Sequence, residues 1–394
     1  MIADDAIARL HEVLAGRRVA LVHDWLNGMR GGEKVLEQFC HLFPDADIFT
    51  LFYEPGRISP LIRRHRVIEH PLPRRFPVLR QHYRYLLPFF PRMVRTFPTH
   101  EYDLVLSTSH CVAKGARPPR RGPHLSYVFT PMRYAWDHFE DYLTGRAAQD
   151  MGLRLVRPWL QRWDAESARH VDSFAADSHH IAAKAKRFWG RRARVIHPPV
   201  DLDFHTPGDK EPGDYFLCVG AFVPYKRFDR AIQAAKLAGR RLIVVGAGPE
   251  RERLEALAGD GVEFRGWASN EELRRLYRGC QALIYPGVED FGITALEVQA
   301  CGRPVLALHQ GGAVETVVAG VTGEFFEEPT PGALADLLTA FRPESYTPTV
   351  IRAQAERFSA GRFRQEVACW ILSETMPRGW GPGPTGRSSS FSSS

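Results

Sequence analysis

The sequence predicts an α/β protein built from two domains, each a doubly wound parallel sheet. Short apolar segments of strand length alternate with helical segments along most of the chain, which is typical of parallel sheets covered by helices. The alternation restarts after 204–214, a polar stretch rich in proline and glycine that indicates a linker. A length of 394 residues also exceeds one ordinary domain.

Composition and cysteine spacing indicate a cytosolic protein without a metal or disulfide framework. The 44% hydrophobic and 25% charged residues suffice for two cores. The six cysteines lie far apart without a C-x-x-C pair, which fits a reducing cytosol. No apolar run approaches the ~18 residues of a spanning helix, and the N-terminal segment lacks the apolar core of a signal peptide. We therefore expect a cytoplasmic protein, with peripheral contact at the inner face of the cytoplasmic membrane left open.

The first half begins with a short helix and continues with strand-like segments. These are 19–22, 48–52, 67–68, 102–107, 125–129, 172–178 and 195–200. Gly31 and Gly32 stand directly before a helix predicted from about Glu33 to Phe43. There the missing Cβ atoms let backbone amides approach a phosphate. Two glycines alone are more typical of a simple turn.

Two polar residues of this half follow strands at their carboxyl ends. His110 comes after the segment 102–107, and Asp137 after 125–129. Because open α/β sheets bind ligands at the carboxyl ends of their strands, both residues are candidates for ligand contacts. A lone histidine is more often structural, so the alternative interpretation of His110 is a packed side chain.

The segment 57–95 is strongly basic and rich in aromatic residues. It contains ten arginines and one acid, Glu69, which gives a local net charge of +9 (ten minus one). One interpretation is a pair of helices whose apolar faces pack on the domain while the arginines face water. The other is a surface for anionic membrane, where each arginine contributes about 1 kcal/mol. No nucleic-acid-binding module pattern is present, so nucleic acid is not expected as a partner.

The second half repeats the alternation and ends in a helical region and a polar tail. Its strand-like segments are 215–219, 242–245, 262–264, 282–285 and 305–308. Residues 349–374 are predicted to be helical, and the glycine-, serine- and proline-rich end of the chain to be disordered. The predicted divisions are 1–205 for the first domain, 206–348 for the second, 349–376 for a C-terminal helical region and 377–394 for the tail.

The stretch after the strand 282–285 combines a carboxylate loop with a helix start. Glu289 lies in the loop, and Glu297 follows eight residues later, one turn into a helix whose Leu296 and Ala300 share a buried face. Free amides at a helix N-terminus attract phosphate, and carboxylates accept sugar hydroxyls. The combination fits a nucleotide sugar. The alternative is an ordinary strand–loop–helix connection with two solvated glutamates.

Residues 286–305 carry the most specific motif of the chain. They read Pro286-Gly-Val-Glu-Asp-Phe-Gly-Ile-Thr-Ala-Leu-Glu-Val-Gln-Ala-Cys-Gly-Arg-Pro-Val305, which closely resembles the signature of the retaining GT-B glycosyltransferases of family 4. Three further stretches are similar to a mannosyltransferase-rich branch of surface-polysaccharide assembly, namely Val22-His-Asp-Trp-Leu, Gly-Gly-Glu-Lys34 and Thr130-Pro-Met-Arg-Tyr-Ala-Trp136. The resemblance spans nearly the whole chain. It implies two Rossmann-like domains facing a central cleft, with a C-terminal helix crossing back to the first domain.

The resemblance also implies roles for individual residues. Glu289 would contact the donor sugar near its reacting face, and Lys226, helped by Arg227, would hold the diphosphate. Glu297 would hold the ribose hydroxyls. The remaining donor contacts would come from a glycine pair of the first domain and from backbone of the motif, namely Gly31, Gly32, Phe291, Gly292 and Ile293.

Two residues depart from the family pattern. Ala221 stands where the family usually has an arginine, so one cation for the diphosphate is absent unless another arginine substitutes. Phe129 stands where the related branch has a histidine, which puts a catalytic histidine at that position in doubt. His110 and Asp137 are the candidates for acceptor contacts. These departures motivate an alternative function, a nucleotide-sugar-binding protein of the same fold that is catalytically weak or inactive.

The expected activity is transfer of a hexose to a glycan or lipid-linked acceptor with retention of configuration, with mannose and GDP-mannose favoured. Lys226, Arg227 and helix N-termini would stabilise the leaving diphosphate electrostatically, so no metal and no cofactor is expected. A third class, an NAD-linked oxidoreductase, would use the glycine-rich segment 245–250. There Arg251 occupies the place of the third glycine of a dinucleotide-binding motif.

Overall fold

The computed structural model describes residues 3–81, 83–137, 139–140 and 147–380. This part of the chain contains a seven-stranded and a six-stranded sheet, and every strand pairing in both is parallel. Buried apolar clusters lie on both faces of each sheet, where helices cover it. The prediction of two doubly wound parallel α/β domains is confirmed.

The first domain has the strand order β3-β2-β1-β4-β5-β6-β7. Its strands are β1 Val19–His23, β2 Asp47–Thr50, β3 Val67–Glu69, β4 Leu104–Ser109, β5 His124–Val128, β6 Ser173–Ala176 and β7 Arg194–Val195. The strand predicted for 195–200 is wrong beyond Val195. Pro198 and Pro199 lack the N–H groups that a ladder requires.

The second domain has the strand order β10-β9-β8-β11-β12-β13. Its strands are β8 Tyr215–Val219, β9 Arg241–Val245, β10 Val262–Arg265, β11 Leu283–Tyr285, β12 Val305–Leu308 and β13 Gly323–Phe326. Strand β13 is not predicted from the sequence, because this four-residue edge strand begins with glycine and contains a glutamate. In each sheet the order reverses beside the first strand, at β1/β4 and β8/β11, which is where open α/β sheets bind ligands.

The helices cover these sheets and, in the segment 57–95, are shorter than predicted. The α-helices are α1 Ala3–Leu14, α2 Gly31–Leu42, α3 Pro60–Arg63, α4 Pro71–Arg75, α5 Val78–Gln81, α6 Phe90–Val94, α7 Ala147–Ser167, α8 His179–Trp189, α9 Phe228–Leu237, α10 Arg251–Leu257, α11 Asn270–Gly279, α12 Ile293–Ala300, α13 Ala313–Thr316, α14 Pro331–Ala340, α15 Pro348–Glu356 and α16 Ala360–Thr375. The pair of helices in one interpretation of 57–95 is wrong, because α3 to α6 and short 3-10 turns take its place. Proline lies in the first turn of α3, α4 and α6, where the preceding segment cannot continue as a helix.

The C-terminal region crosses back to the first domain, as the resemblance implies. The single helix expected over 349–374 is instead α15 and α16, separated at 357–359, where the Ser359 hydroxyl caps α16 by accepting from Arg362 N. Phe363 and Trp370 of α16 lie in the core that contains α1 and β1.

The tail is ordered further than predicted. Trp380, which the sequence analysis places in the disordered tail 377–394, is buried against the first domain, with the Arg17 guanidinium 4.3 Å above its ring. An indole of this size contributes substantially to a core, since aromatic side chains bury large areas. Residues 381–394 lie outside the described part of the chain.

His124, at the start of β5, makes the first domain sensitive to acid. The ring is fully buried, with Nε2 3.0 Å from Ser107 Oγ, and burial lowers the pKa of His124 to about 4. The pKa of a histidine in an unfolded chain is about 6.5, so below that pH the unfolded chain binds more protons and stability falls as the pH falls. From pH 7 to pH 5, His124 should account for a loss of about 2 kcal/mol in the free energy of unfolding.

Urea unfolding at pH 7 and pH 5 checks this prediction. His124→Gln should remove about that amount of the pH dependence, whereas the control His309→Gln, at an exposed residue of the second domain, should not reduce it. Equal pH dependence in the wild type and His124→Gln would show that His124 is not responsible.

Candidate functional site

The loop after β11 leads into α12 through a glycine that the geometry requires. Gly292 caps α12 with φ 95°, a conformation that side chains with a Cβ rarely adopt. A Cβ there would also lie 3.2 Å from Tyr285 Oη. The loop therefore turns sharply between Tyr285 and Ile293, and the N-terminal amides of α12 lie beside it. Such a terminus attracts an anion.

Lys226 and Glu289 meet in the second domain, at the carboxyl ends of β8 and β11. Lys226 ends a 3-10 turn, Pro224–Lys226, and its Nζ lies 2.6 and 2.7 Å from the two carboxylate oxygens of Glu289. Burial alone would lower the pKa of Lys226, but the Glu289 carboxylate and Tyr225 outweigh it and raise that pKa. The ammonium is therefore charged at neutral pH. The structure thus brings together the two main residues predicted to be catalytic.

The guanidinium of Arg227, the predicted helper of Lys226, forms an ion pair with Asp229. The Nε–Oδ1 distance is 3.1 Å and the Nη2–Oδ2 distance 3.2 Å, in an exposed pair. Among the described residues Arg227 is the one non-glycine residue with a left-handed backbone, φ 54°, where the 3-10 turn gives way to α9. In this structure the side chain is directed to α9 and does not extend the Lys226–Glu289 pair.

Glu297 is held by a residue of the opposite domain. Its Oε1 accepts from Lys34 Nζ at 2.6 Å and its Oε2 from Tyr277 Oη at 3.0 Å. Burial would raise the pKa of Glu297, but Lys34 and His205 outweigh burial and lower it. The carboxylate predicted to hold ribose hydroxyls is therefore ionised, and Lys34 from α2 already occupies one side of it.

The predicted glycine pair faces the start of α12 across the cleft. A Cβ on Gly31 would lie 3.1 Å from Ile293 Cδ1, and one on Gly32 would lie 3.4 Å from Phe129 Cε2. Gly31, Gly32 and Ile293 were assigned to the donor from different parts of the sequence, and they meet where the two domains approach. Phe129, the departure from the family pattern, forms the wall behind Gly32.

The Phe291 side chain belongs to a core and not to the cleft. It is buried, its ring stacks on His197 with centroids 5.5 Å apart, and it packs in the cluster of Leu296 and Phe358. Only its backbone remains available for the predicted donor contact. The ring instead anchors the loop to the junction of both domains and the C-terminal region.

His110 and Asp137 lie in different surroundings of the first domain. Asp24, at the end of β1, accepts the backbone N–H groups of residues 110–113 at 2.6 to 2.9 Å, and its Oδ2 lies 3.2 Å from His110 Nδ1. Burial lowers the pKa of His110 to about 4, so the ring is neutral at pH 7 and able to exchange hydrogen bonds with a hydroxyl. Asp137 lies 3.3 Å from Lys184 Nζ and so belongs to a group of ion pairs between the domains.

Asp290, the centre of that group, is not among the residues predicted from the sequence. Its carboxylate accepts from Arg133 Nε at 3.0 Å and from Lys184 Nζ at 3.0 Å, both from the first domain. Asp290 directly follows Glu289, and Arg133 lies in the motif Thr130-Pro-Met-Arg-Tyr-Ala-Trp136. Both residues were visible as motif positions, but no local pattern indicates that they pair across 157 residues.

A further contact between the domains joins α13 to α8. Glu315 accepts the backbone N–H of His179 at 2.9 Å and of His180 at 3.1 Å, and its Oε2 lies 2.8 Å from His197 Nε2. Ligand atoms of His179, His197 and Glu315 lie within 4.8 Å of one another, a spacing that a metal ion could use. The hydrogen bonds of Glu315 to two amides and one imidazole explain why these three residues lie together, since Glu315 caps α8 from the other domain.

Among the described residues, no helix combines the length and hydrophobicity needed to cross a bilayer.

Two family models match consecutive parts of the chain. The model described as Glycosyltransferase Family 4 matches residues 29–204, and the model described as Glycosyl transferases group 1 matches residues 201–357. The junction of the two matches lies within a few residues of the linker between the sheets. Each domain therefore has its own match.

Curated relatives resemble part of the chain. A D-inositol 3-phosphate glycosyltransferase of Mycolicibacterium smegmatis is 35% identical over 171 residues, which is 38% of this chain and 39% of the relative. D-inositol 3-phosphate glycosyltransferase 1 of Catenulispora acidiphila is 32% identical over 200 residues, 43% of this chain and 48% of the relative. The chain thus spans less than half the length of these relatives.

Solved structures resemble nearly all of the chain. HepE of Anabaena, in complex with UDP and glucose, has a TM-score of 0.67 at 19% identity, covering 90% of this chain and 100% of that one. Sucrose-phosphate synthase of Thermosynechococcus elongatus has a TM-score of 0.62 at 19% identity, covering 92% and 98%. The chain therefore has the two-domain GT-B fold, with a first domain that matches the family 4 glycosyltransferase model and a second that matches the group 1 glycosyl transferase model.

Proposed function

We propose that this protein is a glycosyltransferase that moves a hexose from a nucleotide sugar to a glycan or lipid-linked acceptor in the cleft between its domains. The observation that carries the proposal is the contact of Lys226 with both oxygens of Glu289 beside the N-terminus of α12. A cation, free helix amides and a carboxylate suit a ligand that is part pyrophosphate and part polyol. The matches to glycosyltransferase families in both domains support the same class.

The proposed chemistry is electrostatic and needs only groups of this chain. The bond from the sugar C1 to the diphosphate oxygen breaks, and negative charge develops on the leaving diphosphate. Lys226 and the amides of α12 stabilise that charge, while Glu289 leaves its lysine partner to orient sugar hydroxyls. With retention of configuration, the acceptor oxygen bonds C1 on the same face, and its proton passes to the leaving diphosphate oxygen. Transfer by this route is metal-independent.

The donor is proposed as GDP-mannose, on the resemblance of 22–34 and 130–136 to a mannosyltransferase branch. The similar structure of HepE was solved with UDP and glucose, so UDP-sugars form the competing donor class. A thermal-shift series with GDP-, UDP-, ADP- and dTDP-sugars identifies the bound donor, and the same donors with lipid-linked acceptors then report transfer. Donor binding without product or hydrolysis would instead favour the weak or inactive binder that Ala221 and Phe129 suggest.

We further propose that the segment 57–95 contacts anionic membrane at the cytoplasmic side. Apolar and basic side chains alternate on its surface, where Phe76 is 49% and Phe89 59% exposed. We call six of its exposed residues the basic apolar face, namely Leu72, Arg74, Arg75, Phe76, Val78 and Phe89. Rings beside arginines partition to the headgroup region of anionic lipid. A lipid-linked acceptor would then be presented at the same surface.

Co-sedimentation with phosphatidylglycerol vesicles tests the basic apolar face. At ~1 kcal/mol for each arginine, Arg74→Glu with Arg75→Glu should weaken binding by at least about 30-fold, and added salt should do the same to the wild type. Trp267→Ser is the control, because this 85% exposed tryptophan lies on the second domain. Undiminished binding of the double variant, or an equal loss in Trp267→Ser, would refute this surface.

A further inference from the structure

Arg133 of the first domain touches the neighbours of both proposed catalytic residues. Its Nη1 donates to Tyr225 Oη at 2.9 Å, and Tyr225 directly precedes Lys226. Its Nε donates to Asp290 Oδ2 at 3.0 Å, with Nη2 on the same oxygen, and Asp290 directly follows Glu289. The guanidinium also lies 5.1 Å from the centre of the Tyr225 ring. One side chain therefore joins the two loops that carry the Lys226–Glu289 pair.

Two further groups of the first domain hold Asp290 in place. Lys184 of α8 reaches the other carboxylate oxygen, Oδ1, at 3.0 Å. Ser178 Oγ donates to the Asp290 backbone carbonyl at 2.7 Å, which fixes the main chain of the loop as well as the side chain. Burial would raise the pKa of Asp290, but Arg133 and Lys184 outweigh it and hold that pKa well below its usual range. The contact is therefore an ion pair at neutral pH.

The contacts of Arg133 with Tyr225 and Asp290 are better suited to positioning the two loops than to stabilising the fold. A buried ion pair adds little net stability, because removing both charges from water offsets their attraction. The planar guanidinium, however, presents several N–H donors in fixed directions, so it orients two partners at once. A lysine at the same place offers a single charged nitrogen and could not fix both loops in the same way.

We propose that Arg133 is a positioning residue that sets the Lys226–Glu289 pair when the domains close. This role rests on the proposed function, because it concerns how the same site is assembled. With the cleft open, Arg133 is withdrawn from Tyr225 and Asp290, and the two loops lose the link that aligns them. Transfer is then coupled to closure, which keeps water from the donor until both substrates are enclosed.

Kinetics of Arg133→Met, Arg133→Lys and Asp290→Asn test the proposal. Misplacement of about 1 Å can cost on the order of 100-fold, so kcat should fall by about 10- to 100-fold in each variant, while KM for the donor changes by less than about 3-fold. The double variant Arg133→Met/Asp290→Asn should be little worse than either single one, since both remove the same link. Full activity in Arg133→Lys, or additive losses in the double variant, would overturn the proposal.

Glu315→Gln is the matched control, because it weakens a different contact between the domains. Among the described residues, the hydrogen bonds of the Glu315 carboxylate go to His197 and the start of α8, and none goes directly to the two catalytic loops. The kcat of Glu315→Gln should stay within about 3-fold of that of the wild type. If it falls as far as that of Arg133→Met, general loosening of the domains explains both and the positioning role is refuted.

Hydrogen exchange gives a readout that does not depend on activity. In Arg133→Met the backbone amides of 225–229 and 287–290 should exchange faster than in the wild type, and in Glu315→Gln they should not. Unchanged exchange in both loops would refute the link, whatever the turnover. Absence of transfer by the wild type with every donor would count against the proposed function alone, since the exchange result still decides the role of Arg133.

Discussion

Lys226→Met is expected to lower kcat for sugar transfer by about two to three orders of magnitude, the usual cost of removing one preorganised charge-stabilising group. Lys226 Nζ contacts both carboxylate oxygens of Glu289 and lies where the leaving diphosphate is proposed to bind. Methionine keeps most of the stem and removes only the charge. Initial rates with saturating donor and acceptor measure the effect, and circular dichroism verifies that the variant is folded.

Lys236→Met serves as the control for this prediction. Lys236 lies on α9, ten residues further along the chain, and donates to the Leu257 carbonyl at the surface. The kcat of Lys236→Met should match that of the wild type. Glu289→Ala should abolish transfer as Lys226→Met does, because it removes the other half of the pair. Wild-type turnover in Lys226→Met or Glu289→Ala would refute the assignment of this site.

Asp164→Ala is expected to cost about 3–5 kcal/mol of folding free energy, the cost of leaving a buried charge without its partner. Asp164 Oδ1 lies 2.5 Å from Lys114 Nζ, and both side chains are fully buried. Its Oδ2 accepts from Trp136 Nε1 at 2.8 Å and Trp189 Nε1 at 2.6 Å. The substitution would strand an ammonium and two indole N–H groups between the sheet and α7. Urea unfolding followed by circular dichroism measures the loss.

Two further variants make this result specific. Asp336→Ala removes an exposed aspartate from α14 and should change stability by less than about 0.5 kcal/mol. Asp164→Ala combined with Lys114→Met should recover part of the loss, because the double variant no longer buries an unpaired charge. If Asp164→Ala alone unfolds with wild-type stability, the buried pair is not a structural element of the first domain.

The two-sheet fold was predictable because strand and helix patterns are local. Short apolar segments separated by helical ones predicted nearly all of the strands. The strand that was predicted too long and the strand that was not predicted have local causes as well. Pro198 and Pro199 end β7, and the polar, four-residue β13 carries too weak a signal. The break at 357–359 lies between two segments that both have helical composition, so only the capping by Ser359 reveals it.

The site was predictable where a motif marks single residues, as in 286–305 and at Lys226, Gly31 and Gly32, but not in how the two domains meet. Glu289, Gly292 and Glu297 lie within nine residues, so their spacing could be interpreted directly. The contacts that connect the domains join residues far apart in sequence, 157 positions for Arg133–Asp290 and 263 for Lys34–Glu297. Which side chain a distant charge meets depends on how the two sheets are packed together, and periodicity carries no information about that.

The position of α16 has a consequence for how the chain is made. Phe363 and Trp370 complete the same apolar interior as α1 and β1, and Trp370 Nε1 donates to Ser173 Oγ at 3.0 Å. During synthesis the first domain therefore emerges with part of its apolar core exposed to solvent. That surface stays exposed until α16 has left the ribosome. A fragment ending at the linker would retain that uncovered surface permanently, so it would aggregate when expressed alone.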